Sequence, residues 1–266
     1  MSDTAAPLAG RTALVTGGSR GVGRAVALRV AADGAAVAVN YRRDAAAAEE
    51  VVAGIAAGGG TALAYRASVD DADAVAAMVD RIHADLGPVD LLVSNAGTAS
   101  RGTPIADTDE QEYLRLLRVH TLGPLALIRS LLPDLRTAPR GDVIVVSSAI
   151  VDTAPAGGAP YSMAKAALET AARTLAYEER ANGVRVNIVA PGLVATDMGE
   201  RLVAASGAAA IADLDARYPF GRVARPEDVA GVVAFLASAA ADYLTAQRIR
   251  VDGGGPDIPI VAAPES

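Results

Sequence analysis

Cysteine is absent from this chain of 266 residues. That excludes disulfides, thiolate catalysis and cysteine-ligated metals. Only two histidines occur, His83 and His120. A zinc site would have to draw on carboxylates, so no metal is expected. Aromatic residues are 3% of the chain. The core must therefore be Ala, Val, Leu and Ile, a composition suited to helices packed closely on a parallel sheet. No uncharged apolar run approaches the roughly 18 residues of a membrane span. The first ten residues lack the basic stretch and apolar run of a secretory signal. The net charge of −7 argues against a nucleic-acid binder, which needs a basic face. The expectation is a soluble, cytoplasmic protein with neither membrane nor nucleic acid as partner.

What is present is a regular alternation. Short apolar segments at Thr12–Thr16, Ala36–Asn40, Thr61–Arg66, Val89–Ser94, Asp142–Ser148, Val184–Ala190 and Gln247–Val251 read as strands. Between them lie helical stretches: Arg24–Ala32, Asp44–Ala57, Asp71–Leu86, Asp109–Leu135, Tyr161–Arg180 and Pro226–Ala237. Pro124 predicts a bend inside the longest of these. The strands are apolar on both faces, as in an α/β fold whose parallel sheet is covered on both sides. No linker interrupts the pattern. One domain over 1–266 is expected, with its core at about 11–254 and a proline-containing tail at 255–266.

The first strand runs into Thr16-Gly17-x-x-x-Gly21-x-Gly23 and then a helix. Glycines in that context let the backbone approach a pyrophosphate at a helix N-terminus; a glycine-rich turn without a ligand has the same pattern. The second strand ends in Asn40-Tyr41-Arg42-Arg43 rather than in the acid that reads a ribose 2′-hydroxyl. Arg42, with Arg20 from the glycine loop, suits a 2′-phosphate through forked hydrogen bonds, and Arg43 less so. The cofactor expected is NADP(H), against the alternative of solvated surface arginines. Asp44 reads as a helix cap.

Lys165 follows Tyr161 by four residues, so on a helix the two share a face. A free tyrosine, with a pKa of roughly 10, is a poor acid–base catalyst at neutral pH. A nearby ammonium favours the phenolate and is expected to lower that value.

The glycine loop, Asn95-Ala96-Gly97, Ser147-Ser148, Tyr161-Ser162-Met163-Ala164-Lys165 and Pro191-Gly192 occur in that order. With Arg225-Pro226-Glu227-Asp228-Val229-Ala230 and Val251-Asp252-Gly253-Gly254, they make the chain resemble the short-chain dehydrogenase/reductase family. Its 3-oxoacyl-carrier-protein reductase type is the nearest subgroup. The resemblance implies a Rossmann-like, doubly wound parallel sheet of seven strands in the order 3-2-1-4-5-6-7. It implies Tyr161 as general acid in carbonyl reduction, Lys165 as its partner and Ser148 as the donor to the substrate oxygen, with Ser147 the lesser candidate. Further, it implies a cofactor site of Gly17, Ser19, Arg20, Gly21, Val22, Gly23, Tyr41, Arg42, Arg43, Ser68, Val69, Asn95, Ala96 and Gly97. Pro191, Gly192, Val194 and Thr196 would hold the carboxamide, and Tyr161 and Lys165 also border the cofactor. Asn187 is expected to be structural.

Two positions depart from the family. His120 stands where it usually has an asparagine that holds a proton-relay water; an imidazole there can bind that water and titrate near pH 6.5, or weaken the relay, or mark lost catalysis. Ser68 replaces an acid that contacts adenine. The segment from Leu193 to Arg222 reads as a small, apolar substrate lid, suited to an apolar ketone or acyl chain. Arg129, Arg136 and Arg140 are candidates to meet an acidic carrier protein, or are plain solvated charges. The resemblance also implies a homodimer or homotetramer.

Overall fold

Seven short strands pair in parallel into one sheet, in the order β3-β2-β1-β4-β5-β6-β7. They are β1 (Thr12–Val15), β2 (Ala36–Tyr41), β3 (Ala62–Arg66), β4 (Leu91–Ser94), β5 (Gly141–Val146), β6 (Val184–Pro191) and β7 (Arg248–Val251). The computed structural model describes residues 6–205 and 210–255. The tail and part of the lid, Ala208 and Ala209 among it, lie outside the described residues.

The helices are α1 (Gly21–Ala32), α2 (Ala45–Ala57), α3 (Ala72–Leu86), α4 (Glu110–Leu117), α5 (Gly123–Thr137), α6 (Ile150–Thr153), α7 (Ala159–Glu179), α8 (Asp197–Ala205) and α9 (Pro226–Ala237). Successive strand residues point to opposite faces, so the sheet divides the interior in two. On one face Val15, Val37 and Val39 pack with Val26, Val30, Val51, Ile55, Val229 and Val233. On the other, Leu14, Leu92 and Val143 pack with Val75, Ile82, Leu127, Leu131, Leu168 and Leu175. Aliphatic residues fill both layers, apart from half-buried Tyr41 against the first and Tyr65 and Met78 in the second.

Asp44 and Asp71 cap the helices that follow them, each accepting from a backbone N–H three residues on at 3.0 Å. The helix changes geometry just before Pro124, where the sequence predicts a bend. A turn of π-helix, Arg118–Leu122, separates α4 from α5 and buries Val119, His120 and Thr121 in succession. Pro124 directly follows that turn within an unbroken helix, so its missing N–H removes one bond of the helical ladder there. Such π-turns frequently accompany functional sites, and this one carries His120.

The strand order reverses between β1 and β4. In a parallel sheet the crevice at that reversal, beyond the strands' carboxyl ends, is where ligands bind.

Candidate active site

At that reversal the glycine loop leaves β1 with Gly17 at φ +63° and Gly21 at φ +53°, in the left-handed region that glycine enters at little cost. A side-chain carbon on Gly23 would lie 2.2 Å from the Gly17 carbonyl oxygen, so α1 packs on the loop only because residue 23 is glycine. No side chain caps α1, and no acid stands in its first turn. Its free N–H groups and positive dipole end therefore fit a pyrophosphate. Thr196 faces the loop from the opposite wall: a side-chain carbon on Gly21 would meet its Cγ2 at 3.3 Å.

Two polar residues that sequence reasoning passed over hold this loop. Thr16 Oγ1 accepts from the N–H groups of Asn95 at 2.9 Å and Ala96 at 3.0 Å. Buried Asn40 accepts from the Gly17 N–H at 3.2 Å and donates to Ala67 O at 3.1 Å. A lone asparagine in an apolar strand was the available signal. Asn95 turns its amide to Thr16 O, at 2.9 Å, and so braces the loop. Arg20, Arg42 and Arg43 are exposed at its rim and carry no ion pair among the described residues. Tyr41 is half-buried beside them. Ser68 pairs with Asp70. Val69 is buried, its carbonyl against Gly123.

Tyr161 lies between Lys165 and His120, and Lys165 reaches the end of β5. Lys165 is buried, and its Nζ donates to Val146 O at 2.7 Å. Nζ lies 5.8 Å from the centre of the Tyr161 ring. On the other side, the His120 ring meets Tyr161 edge-to-face at 5.0 Å. Ser148 follows β5 and is half-buried, its hydroxyl accepting from the Ile150 N–H at 3.2 Å. Ser147 is committed elsewhere, donating to Glu169 at 2.7 Å. Pro191, Gly192 and Val194 leave β6 alongside. Asn187 is structural, accepting from Gln247 N–H at 3.0 Å and donating to Leu244 O at 2.9 Å.

Two electrostatic expectations are corrected. Burial pushes the Tyr161 phenol up to about 12, and the anticipated lowering by Lys165 is absent. Burial instead pulls Lys165 down to about 8, with Glu169 opposing. His120 does not titrate near 6.5. Burial first, then the Lys165 charge, pushes it down to about 3. Its Nε2 faces Thr98 O at 2.8 Å and Thr98 N at 3.2 Å. The shorter contact assigns the proton to Nε2. Nδ1 is then a buried acceptor with no partner among the described residues.

The arginines considered for a carrier protein divide. Arg136 grips Glu179 at 2.8 Å. Arg140 is paired with Asp142 at 2.7 Å, at the amino end of β5 and away from the site. Of the three, Arg129 alone is exposed and without a charged partner among the described residues.

Known proteins of similar sequence and fold are numerous. A family model described as "Enoyl-(Acyl carrier protein) reductase" matches residues 17–255. A 3-oxoacyl-[acyl-carrier-protein] reductase of Synechocystis sp. is 38% identical over 93% of this chain and 97% of its own. A short-chain dehydrogenase from Burkholderia cenocepacia, solved with NADP, superposes with a TM-score of 0.82 at 33% identity, covering 93% of this chain and 98% of that one. A 7α-hydroxysteroid dehydrogenase solved with NADH and a 7-oxo bile acid gives 0.86 at 27% identity, covering 97% and 99%. Matched by that family model over residues 17–255 and 38% identical to the Synechocystis reductase along most of its length, the chain belongs to the short-chain dehydrogenase/reductase family, nicotinamide-dependent oxidoreductases acting on hydroxyl and keto groups.

Proposed function

We propose that the protein reduces a ketone with NADPH, its substrate an apolar ketone or a 3-oxoacyl thioester. One observation carries the reading: the buried Lys165 ammonium is fixed on Val146 O, two residues before Ser148, with the Tyr161 ring centre 5.8 Å away. Bound in that cleft, the reduced nicotinamide supplies the hydride. Tyr161, protonated at neutral pH, gives its proton to the carbonyl oxygen as negative charge develops there. Ser148 donates a hydrogen bond to the same oxygen. Lys165 stabilises the phenolate left behind. His120 holds Thr98, and so the loop after β4, against the site and offers Nδ1 as an acceptor behind Tyr161.

Arg42 and Arg20 support NADPH over NADH, since free guanidinium groups at the rim match a 2′-phosphate. An apolar substrate is supported by the lid, whose Leu193, Val203, Ile211 and Val223 form their own small core while Met198 and Leu202 stay exposed. Exposed Leu122, Met163 and Tyr177 on the π-turn and α7 support a homodimer through these helices. The description of the matching family model favours a second reading, hydride addition to a conjugated C=C of an enoyl thioester.

The test is NADPH and NADH oxidation with a panel of alkyl ketones, 3-oxoacyl thioesters on coenzyme A and on carrier protein, and enoyl thioesters. The expected result is turnover of ketones, with kcat/KM for NADPH exceeding that for NADH at least about tenfold and R42A erasing most of the gap; a charge-assisted contact is worth about that much. Oxidation with enoyl substrates alone would establish the second reading. Tight NADPH binding without any turnover would leave a binding protein.

A further inference from the structure

Three consecutive residues end β5 and begin its exit, and each is fastened by a different charged side chain. The Val146 carbonyl accepts from Lys165 at 2.7 Å. The Ser147 hydroxyl donates to Glu169 Oε1 at 2.7 Å. The Ser148 carbonyl accepts from Arg248 Nη2 at 3.2 Å. Arg248 stands on β7 and has two further grips. Its Nε donates to the same Glu169 oxygen at 2.8 Å, and its Nη1 to Asp152 Oδ2 of α6 at 3.0 Å. One guanidinium thus ties β7, α7, α6 and the exit of β5 together.

Stability alone does not account for this arrangement. Glu169 is 2% exposed, and a buried carboxylate is tolerated only when paired. Replacing such a pair by apolar groups of similar volume is commonly neutral or stabilising. What the charged version adds is direction. A guanidinium presents its donors in a rigid plane, so Glu169 and Asp152 orient it and leave Nη2 on a single carbonyl. That carbonyl belongs to Ser148. The residue's other fixed contacts are the Ile150 N–H on its hydroxyl at 3.2 Å and the longer backbone bond from Val151 N–H to the same carbonyl at 3.4 Å.

We propose that Arg248 is a positioning residue for Ser148: held by Glu169 and Asp152, it fixes the Ser148 carbonyl and thereby the direction in which the serine hydroxyl meets the substrate oxygen. The inference rests on the reading of Ser148 as donor to that oxygen. Glu169 belongs to the same device, one helical turn beyond Lys165 and two beyond Tyr161.

A double-mutant cycle tests it. Arg248→Lys keeps the charge and removes the fork. It is expected to lower kcat/KM for the ketone about tenfold, mainly through kcat, because misplacing a reacting group by a fraction of an ångström is that costly. The Kd for NADPH and the melting temperature should stay near wild type. Ser148→Ala should cost about a hundredfold. If Arg248 acts through Ser148, the double variant is no slower than S148A, within about twofold. A further tenfold loss in the double variant, or wild-type kcat/KM in R248K, overturns the proposal and leaves the function reading intact. Full activity in S148A overturns both. Should R248K not fold, Asp152→Asn at the exposed end of the brace enters the same cycle. Its loss of about threefold should vanish in the S148A background, and additivity there overturns the proposal equally.

Discussion

At the residue scale, His120 and Lys165 share one buried space, and their charges compete. Lys165 is charged below about 8, so an imidazolium beside it would put two positive charges in a dry site. The fold avoids this by keeping His120 neutral down to about 3. A stability consequence follows. The unfolded chain takes a proton on His120 as the pH falls through about 6.5, whereas the folded chain refuses it until about 3. Protonation between those values therefore favours unfolding, at about 1.4 kcal/mol per pH unit. From pH 6.5 to 5.0 the wild type should lose about 2 kcal/mol on this account, and His120→Asn should lack that part of the slope in urea titrations. Imidazole NMR gives the direct view: the ring signal absent from H120N should not shift between pH 8 and 5. A shift centred near 6.5 would restore His120 as a titrating relay. The sequence showed that position 120 was unusual. It could not show the sign of the effect, because burial and the nearness of Lys165 are properties of the packed site.

At the element scale, residues in the turns at strand ends were legible and residues reached through tertiary contacts were not. Gly17, Asn95 and Ser148 each lie just past the end of an apolar strand and Gly21 opens the helix after the first, so chain order alone puts them at one edge of a parallel sheet. Arg248 and Glu169 are 79 residues apart, and no local pattern joins them. The π-turn was equally hidden. Thr121 Oγ1 on that turn donates to Ala164 O of α7 at 2.8 Å, and the sequence marked the place only through the neighbouring Pro124. The same junction places Gly123 against the loop after β3. A side-chain carbon on Gly123 would lie 2.2 Å from Val69 O, a backbone atom that cannot swing aside. Gly123→Ala should therefore push α5 off that loop and cost about 1–3 kcal/mol, the range for overpacking a core. It should also weaken NADPH binding, because Val69 borders the adenine end of the proposed cofactor site. Urea midpoints with and without NADPH measure both effects. An unchanged midpoint would mean that the helix can shift freely at the π-turn.

At the scale of the whole molecule, chemistry and anchorage occupy opposite edges of the sheet. The carboxyl ends of the strands hold the glycine loop, Ser148 and the Pro191–Gly192 turn. The amino ends hold a buried carboxylate, Asp142, gripped by three arginines. Arg11 and Arg140 meet it at 2.7 Å and Arg185 at 2.9 Å. Arg11 also reaches Asp90 at 3.0 Å and the carbonyl of Ala237, at the end of α9, at 2.9 Å. The cluster thus locks β1, β4, β5, β6 and α9 at the edge remote from the cleft. Asp142 has side-chain exposure of 2% and Arg11 of 9%, so solvent screens this pair weakly. Removing the carboxylate leaves three guanidinium groups sharing too little negative charge. Asp142→Asn should cost about 3 kcal/mol, the lower end for breaking a buried pair. For a chain of this size that is a fall in melting temperature of about 6–12 °C. The separation of edges makes the second half of the prediction sharper. In the folded fraction at low temperature, kcat and the Kd for NADPH should match wild type, because no residue of the cluster touches the cleft. A loss of kcat without a loss of stability would show that the amino edge is coupled to the site through β5, whose first residues hold Asp142 and whose exit holds Ser148.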